Sequence, residues 1–277
     1  MSDLTPSGSL GQNASSNSNA TQAFTSGPSW WTKQSSKVKS AVVATAGVAA
    51  TAIGLVAPNT GPSPTDLDTI NGGCTLEGHA TQYTWQYRAN PLKNRWEMPS
   101  GESLNASATF ENLLVAPSDP SASSLPSGQF ASYKGPGGIT FNEGESADIR
   151  GYIAEVKVGG NESCNCNTTD EQFMDTHIYI SGKQGETDKS KCIIVEVTPR
   201  MRMIKSKGGV DWSTPTLISS LKVGTPVEVS GWLFDDQEHK PNSAADPGHG
   251  TNVWRGSVWE IHPVTDIQIL DSKNPIK

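Results

Sequence analysis

The sequence predicts a mainly β protein whose central domain, residues 147–277, is an OB-fold-like, five-stranded Greek-key barrel. Three observations favour this fold class. Segments within residues 150–198 alternate apolar and polar side chains with the period of two that is typical of strands. A helical pattern follows in residues 199–224, and two further β-rich segments complete the domain. The order β-β-β-α-β-β is the plan of the OB-fold, in which the second and third strands and two loops form the binding surface.

The first three predicted strands are separated by polar, glycine-containing turns. The first covers residues 150–158 and ends at Gly159 and Gly160, because a strand interior tolerates glycine poorly. The second covers residues 175–181 and the third residues 191–198, and the short polar turn between them indicates a hairpin. The side chains predicted to leave the barrel on these two strands are Asp175, His177, Tyr179, Cys192, Ile194 and Glu196.

A helical insertion is predicted between the third and fourth strands. Thr198 is a suitable N-cap and Pro199 a suitable first residue for one helix, which stops at Gly208. A second short helix starts before Pro215 and closes at Gly224. The last two strands are predicted at residues 226–234 and 256–270, the latter bent at Pro263.

Composition limits the chain to one compact domain with extensions. Hydrophobic residues make up 34% of the 277 residues, and 27 Gly and 18 Pro indicate that a sizeable part lies outside a core. The formal net charge is −7, and since residues 1–65 carry one acidic and three basic side chains, the remainder carries −9. An acidic domain disfavours nucleic-acid binding. One helix carries four bases that form either a solvated face or a phosphate-binding patch: Arg200, Arg202, Lys205 and Lys207.

The N-terminal part of the chain is predicted to anchor the protein in a membrane. The segment Ala41–Ala57 has 17 uncharged residues, the lower limit for a transmembrane helix. Two tryptophans and three lysines precede it, which places the N-terminus in the cytoplasm and the barrel on the extracytoplasmic side. A buried or self-associating helix is the alternative. The predicted organisation is a disordered tail (1–29), an apolar helix (30–58), a linker (59–72) and an irregular arm packed on the barrel (73–146).

Several segments resemble a group of uncharacterised bacterial proteins. The similar segments are residues 151–167 (GYIAEVKVGGNESCNCN), residues 195–216 (VEVTPRMRMIKSKGGVDWSTPT) and residues 229–265, which contain WLFDDQEH and WEIHPVT. The stretch LKNRWEMP is similar to the N-terminal arm of that group. The resemblance covers residues 73–269 and implies no activity. Residues 1–65 lie outside it, which makes the predicted anchor an addition to a common domain.

Histidine and carboxylate side chains are predicted to converge on the outside of the barrel. Asp175 and His177 share one face of the second strand, and Glu196 projects from the neighbouring third strand. His239 lies in the loop between the last two strands, and His262 lies on the fifth. Such ligands form zinc or similar sites, and an open coordination position would activate water. Because the spacing matches no familiar zinc signature, ordinary hydrogen-bonded histidine–carboxylate pairs are the alternative.

Four cysteines suggest a disulfide framework if the domain is exported. They are Cys74 in the arm, Cys164 and Cys166 in the loop after the first strand, and Cys192 at the start of the third. Two disulfide bonds are expected, with their pairing left open by the sequence. A Cys/His metal site is the alternative, and a cytoplasmic location would favour it.

Aromatic residues gather near the loop between the fourth and fifth strands. Trp232, Trp254 and Trp259, together with Arg255, would form a stacking platform for a base or a sugar ring if they are exposed. If they are buried, they are contacts of the core and the arm, which is the commoner outcome for tryptophan beside alternating strands.

Three functions are compatible with these patterns. The first is a membrane-anchored, extracytoplasmic OB-fold-like module that binds a partner or serves a structural role without catalysis, since no familiar catalytic motif is present. The second is a metal-dependent hydrolase of nuclease or esterase type that uses the histidines and carboxylates with zinc. The third, nucleic-acid binding, is disfavoured by the acidic charge.

Overall fold

The computed structural model describes residues 67–82 and 84–271. The predicted disordered tail (1–29), the apolar helix (30–58) with its segment Ala41–Ala57, and the first part of the linker lie outside the described residues. Among the helices of the described ranges, none is both long enough and apolar enough to cross a membrane.

The described chain is rich in β-structure, and a short hairpin precedes five longer strands. In chain order the elements are α1 (Trp85–Lys93), α2 (Phe110–Leu114), β1 (Ser132–Lys134), β2 (Thr140–Asn142), β3 (Ser146–Val158), β4 (Thr176–Ser181), β5 (Cys192–Val197), α3 (Pro199–Lys207), α4 (Thr214–Ser220), β6 (Pro226–Asp235) and β7 (Trp259–Ile269). The five predicted strands correspond to β3 to β7, and the two predicted helices correspond to α3 and α4.

Strands β3 to β7 close into a barrel in the order β3-β4-β5-β7-β6, and β6 pairs with β3. β5 and β7 are parallel neighbours, and the other neighbouring pairs are antiparallel. β3 is long enough to pair with β6 through its first half and with β4 through its second half. Gly151 lies where the two halves meet, and an added Cβ would come within 2.4 Å of the Ile180 Cγ2. Glycine therefore permits the close approach of β3 to β4.

Aliphatic side chains from alternate strand positions fill the barrel interior. Ile178 and Ile180 of β4 and Ile193 and Val195 of β5 are all 0% exposed and belong to one buried cluster. This is the alternation that the sequence predicts for the second and third strands. Full burial of each such side chain contributes about 1.5–3 kcal/mol. The register is therefore fixed, because a slip by one residue would turn the polar neighbours into the core.

Helices α3 and α4 connect β5 to β6 and pack on the barrel core. The Thr198 side chain caps α3 by accepting a hydrogen bond from the Met201 amide at 3.3 Å. Met201, Leu217 and Leu221 belong to the same buried cluster as the barrel interior. The helical insertion that the sequence predicts is therefore present between the third and fourth barrel strands.

The segment that precedes the barrel, predicted as an irregular arm, contains ordered elements. Helix α1 packs Ala89 and Leu92 against Phe234 of β6. Phe141 of β2 meets Trp259 of β7 edge-on, with ring centroids 4.9 Å apart. Pro91 lies inside α1. Because an interior proline normally breaks a helix, sequence rules do not predict α1, and its tertiary packing has to compensate for the lost hydrogen bond.

Within the described chain the cysteines form one disulfide bond, between Cys74 and Cys166, with Cα atoms 5.8 Å apart. Cys164 and Cys192 are buried free thiols, so the predicted second disulfide is wrong. Cys164 lies 3.9 Å from Asp175, just before β4, whereas Cys192 begins β5 at the opposite end of the β4–β5 hairpin. A strand of this length spans about 20 Å. The two thiols are therefore too far apart to bond.

Candidate metal centre

Three ionisable side chains form a row across neighbouring strands on the outer face of the barrel. His177 of β4 lies opposite Glu196 of β5, and the parallel pairing of Val195 with Ile261 brings His262 of β7 beside Glu196. The His177 Nε2 is 3.2 Å from Glu196 Oε1, and the His262 Nδ1 is 3.1 Å from Glu196 Oε2. Glu196 is therefore held between two imidazole rings, one facing each of its oxygens.

The loop between β3 and β4 adds three further donors. Asp175 immediately precedes β4, and its Oδ2 is 3.7 Å from the Nε2 of His262. Glu162 places its Oε1 3.5 Å from the Nε2 of His177. The thiol of Cys164 lies between the two carboxylates, 3.4 Å from Glu162 Oε2 and 3.9 Å from Asp175 Oδ2. Each imidazole of the row thus has a second carboxylate nearby.

Six residues therefore form three overlapping sets, and in each set the donor atoms lie within 4.8 Å of one another. The sets are Glu162 with Cys164 and Asp175, Glu162 with His177 and Glu196, and Asp175 with Glu196 and His262. Each carboxylate belongs to two sets, whereas the thiol and each imidazole belong to one. Cations bind such donors at about 2.0–2.3 Å, which these spacings allow after small side-chain adjustments. The six residues are called the donor cluster below.

The donor cluster is shielded from solvent, and several of its atoms lack a hydrogen-bond partner. Asp175 and His262 are each 1% exposed, Glu196 is 3% and His177 is 7% exposed. The contacts of Glu196 with the two rings are at ion-pair distance, but they lack hydrogen-bond geometry. An unsatisfied buried polar atom costs about 1–3 kcal/mol. Metal coordination satisfies atoms of this kind, and four of them lie here among the described residues: Asp175 Oδ1, His177 Nε2, Glu196 Oε2 and His262 Nε2.

Gly159, which directly follows β3, leaves room for this arrangement. A Cβ at this position would lie 2.6 Å from the His177 Nε2 and 2.9 Å from the Asp175 carbonyl oxygen. The Gly159 amide also donates a hydrogen bond to that carbonyl at 2.7 Å. Glycine is therefore required by the close approach of the backbone to two members of the donor cluster.

Further charged residues position His262 through its Nδ1. The His262 Nδ1 faces Glu260 Oε1 at 3.2 Å, and the buried Arg255 contacts the other oxygen of Glu260. Arg255 also donates to Asp236 at 2.6 Å, and Asp236 in turn contacts the His239 Nδ1 at 2.5 Å. A carboxylate behind a ligating histidine fixes its tautomer and leaves the other nitrogen for the metal. His239, predicted as a ligand, is instead separated from the donor cluster, because it folds back onto a carboxylate three residues earlier.

A lysine supplies a fixed positive charge beside the donor cluster. Lys93, at the end of α1, is 5% exposed, and its ammonium group contacts the Glu162 carboxylate. Burial alone would lower the pKa of Lys93, but Glu162 outweighs it and raises that pKa well above its ordinary value. Burial alone would raise the pKa of Glu162, but Lys93 outweighs it and lowers that pKa to about 2. Both groups are therefore charged at neutral pH.

The two imidazoles bind protons tightly when no metal is bound. Burial would lower the pKa of His177 and of His262, but the Glu196 carboxylate outweighs it and raises each pKa to about 10. The same two rings outweigh burial at Glu196 and hold its pKa well below the ordinary value. Burial raises the pKa of Asp175 to about 6. Since metal ligation requires neutral imidazole, a divalent cation that binds either ring would replace the proton of that ring.

The tryptophans predicted as a stacking platform are not exposed. Trp232 and Trp259 are 2% and 0% exposed. Their indole N–H groups donate to carbonyl oxygens of the arm, at Glu97 (2.9 Å) and Pro117 (3.0 Å). Trp254 is half-buried, and Arg255 lies fully buried in its ion pairs. The tryptophans therefore contact the core and the arm, as the alternative expectation states.

Four of the five residues predicted as metal ligands lie in the donor cluster. Glu162 and Lys93 are not predicted, and Cys164 is predicted chiefly as a disulfide partner. Glu162 has a signal in the sequence, because a carboxylate two residues before a cysteine in one loop is a pair of metal-ligand types. Lys93 has no such signal in the sequence, because it lies on α1, a helix that the interior Pro91 makes unpredictable.

Comparison of the sequence with protein-family models and with curated proteins finds no match. The function of the domain is therefore inferred from the chemistry of the donor cluster. Two imidazoles, three carboxylates and a thiol are the ligands that zinc and its first-row neighbours take in proteins.

Proposed function

We propose that the barrel is a non-catalytic binding or structural module whose donor cluster holds a divalent transition-metal cation. The proposal is carried by the convergence of buried imidazole and carboxylate atoms that have no hydrogen-bond partner within the described chain. The donors come from one loop and three strands that are brought together only by folding. A bound cation therefore stabilises the folded state, because the unfolded chain does not assemble the site.

The enclosure of the donor cluster favours a structural or binding role over hydrolysis. His177 is only 7% exposed, and Lys93 and the packing of α1 cover the same side of the barrel. A catalytic zinc site keeps an open coordination position that water and substrate can reach. The predicted hydrolase function therefore receives less support than a module without catalysis.

We also infer that the barrel is of the OB-fold-like, Greek-key type. The order β3-β4-β5-β7-β6 and the helices between the third and fourth barrel strands support this assignment. In the OB-fold the second and third strands present the binding face, and here the equivalent strands, β4 and β5, carry His177 and Glu196. Nucleic-acid binding at this face is disfavoured, because the chain covers the face itself and its charge is acidic.

Elemental analysis of the folded full-length protein tests the metal proposal. After incubation with zinc and desalting, the wild-type protein is expected to retain at least one equivalent. The His177→Ala/His262→Ala variant is expected to retain none, because it removes the imidazole from each of the two sets that contain one. The matched control, His239→Ala/His249→Ala, also loses two imidazoles but should retain the metal. A folded wild-type protein that binds no zinc, manganese or cobalt overturns the proposal.

We further infer that Ala41–Ala57 anchors the protein in a membrane and places the barrel on the extracytoplasmic side. The support is the uncharged segment and the lysines that precede it. The full-length protein is expected to stay with membranes during carbonate extraction, and a variant that lacks residues 41–57 is expected to be released. Protease added to intact cells or spheroplasts should reach the barrel. Release of the full-length protein by carbonate would contradict the anchor.

A further inference from the structure

We propose that the donor cluster binds two divalent cations, bridged by the carboxylate of Glu196. This inference rests on the proposed metal-binding function and specifies its ligand as a cation pair. The first half-site consists of Glu162, His177 and Glu196, and the second of Asp175, His262 and Glu196. Each half-site offers one imidazole, one carboxylate of its own and one oxygen of the shared carboxylate.

The position of the imidazoles argues against a single cation held by all these residues. Donors of one cation at about 2.0–2.2 Å lie at most about 4.4 Å apart. Among the described residues, no set with mutual spacings within 4.8 Å contains both His177 and His262. The rings instead lie beside different oxygens of Glu196, with His177 Nε2 3.2 Å from Oε1 and His262 Nδ1 3.1 Å from Oε2. A bridging carboxylate between two cations about 3.5–4 Å apart is the arrangement that this geometry matches.

Cys164 lies beside one carboxylate of each half-site. Its sulfur lies 3.4 Å from Glu162 Oε2 and 3.9 Å from Asp175 Oδ2, which are the carboxylates specific to each half-site. A thiolate at this position would lie beside the two cations and add a fourth negative charge to the three carboxylates. Two divalent cations bring four positive charges, which the three carboxylates and the thiolate together balance. Lys93 keeps its ion pair with Glu162.

Each half-site also has unsatisfied donors of its own. The Nε2 of His177 belongs to the first half-site, and the Nε2 of His262 and Oδ1 of Asp175 belong to the second; none of the three has a hydrogen-bond partner in the described chain. One cation at either half-site would leave the imidazole of the other unsatisfied. The unsatisfied donors therefore support a second cation for the same reason that they support the first.

The full-length protein loaded with Zn²⁺ alone gives the stoichiometry, and the protein loaded with Mn²⁺ alone gives the separation of the ions. Two equivalents of zinc per chain are expected. The manganese protein is expected to show an exchange-coupled electron paramagnetic resonance spectrum at low temperature, because two bridged ions interact through Glu196. His177→Ala and His262→Ala are each expected to retain one ion, with the hyperfine sextet of isolated Mn²⁺.

Cys164→Ser is expected to retain one zinc, because it removes the fourth negative charge. The control is Cys192→Ser, which removes a buried thiol outside the donor cluster and should retain two zinc ions. Circular dichroism of each variant checks that the barrel is folded. A wild-type protein that binds one zinc, or that shows only the sextet with two manganese ions, overturns the cation pair and leaves the proposed function intact. Absence of all metal binding removes both.

Discussion

The contact of Lys93 with Glu162 shows how one residue sets the electrostatics of the donor cluster. Their side chains are 6% and 13% exposed, so solvent screens the pair weakly. A buried ion pair contributes little compared with apolar residues of the same size, but removal of one partner leaves an uncompensated charge. Without the lysine, Glu162 would face the other carboxylates of the donor cluster with no fixed cation beside it.

We therefore expect Lys93→Met to lower the free energy of unfolding of the metal-free protein by about 3–5 kcal/mol. Added zinc should recover part of this loss, because the cation takes over the neutralisation of Glu162. Urea denaturation with EDTA and with zinc measures both effects. The matched control is Lys189→Met, whose lysine pairs with Glu155 at an exposed position (39% and 37%), so a change of no more than about 1 kcal/mol is expected. Equal losses in the two variants would contradict the role of Lys93.

At the scale of elements, the sequence predicts what local patterns determine. Alternation identifies β4 and β5 and turns His177 and Glu196 outward, and the pair Thr198-Pro199 marks the start of α3. Helix α1 is not predictable in this way, because its packing on β6 outweighs the interior Pro91. The position of the loop between β3 and β4 is also non-local, since it depends on a disulfide that spans 92 residues of sequence. Membership of Glu162 in the donor cluster follows from that position.

The Cys74–Cys166 bond should therefore control metal affinity. It ties the loop that carries Glu162 and Cys164 to the segment before α1. Removal of the bond by Cys74→Ser/Cys166→Ser is expected to raise the dissociation constant for zinc by roughly 10-fold or more, as loss of outer support does at other metal sites. Competition with a chromophoric chelator measures the constant. Cys192→Ser, which removes a buried thiol outside the loop, should leave it unchanged. An unchanged constant in the double variant would show that the barrel alone positions the donors.

At the scale of the whole molecule, successive ion pairs form a continuous network on one side of the barrel. They run from the partly exposed His239 through Asp236, Arg255 and Glu260 to the imidazole and carboxylate row, and end at Lys93 on α1. These contacts join the arm, two loops and three strands. Because each buried charge has to meet a specific partner, the network fixes how the arm lies on the barrel.

This network also links stability to pH. In the metal-free protein burial would lower the pKa of His177 and His262, but Glu196 outweighs it and raises both to about 10, against 6.5 for an ordinary histidine. The folded state therefore binds more protons than the unfolded state between these values. The stabilisation is fully present below about pH 6.5 and is lost as the pH rises towards 10. The expected slope is a loss of about 1.4 kcal/mol per pH unit for each imidazole.

Metal binding should show the opposite dependence, because the cation competes with those protons. From pH 6.5 to pH 8.5 the Tm in EDTA is expected to fall, while the gain in Tm on adding zinc increases. Differential scanning calorimetry at pH 6.5, 7.5 and 8.5 measures both trends. The His177→Ala/His262→Ala variant should lose both, since neither proton nor metal then has its imidazole, whereas His239→Ala/His249→Ala should keep the zinc-dependent gain. A gain that is constant or shrinks with pH would mean that zinc binds somewhere other than at these two rings.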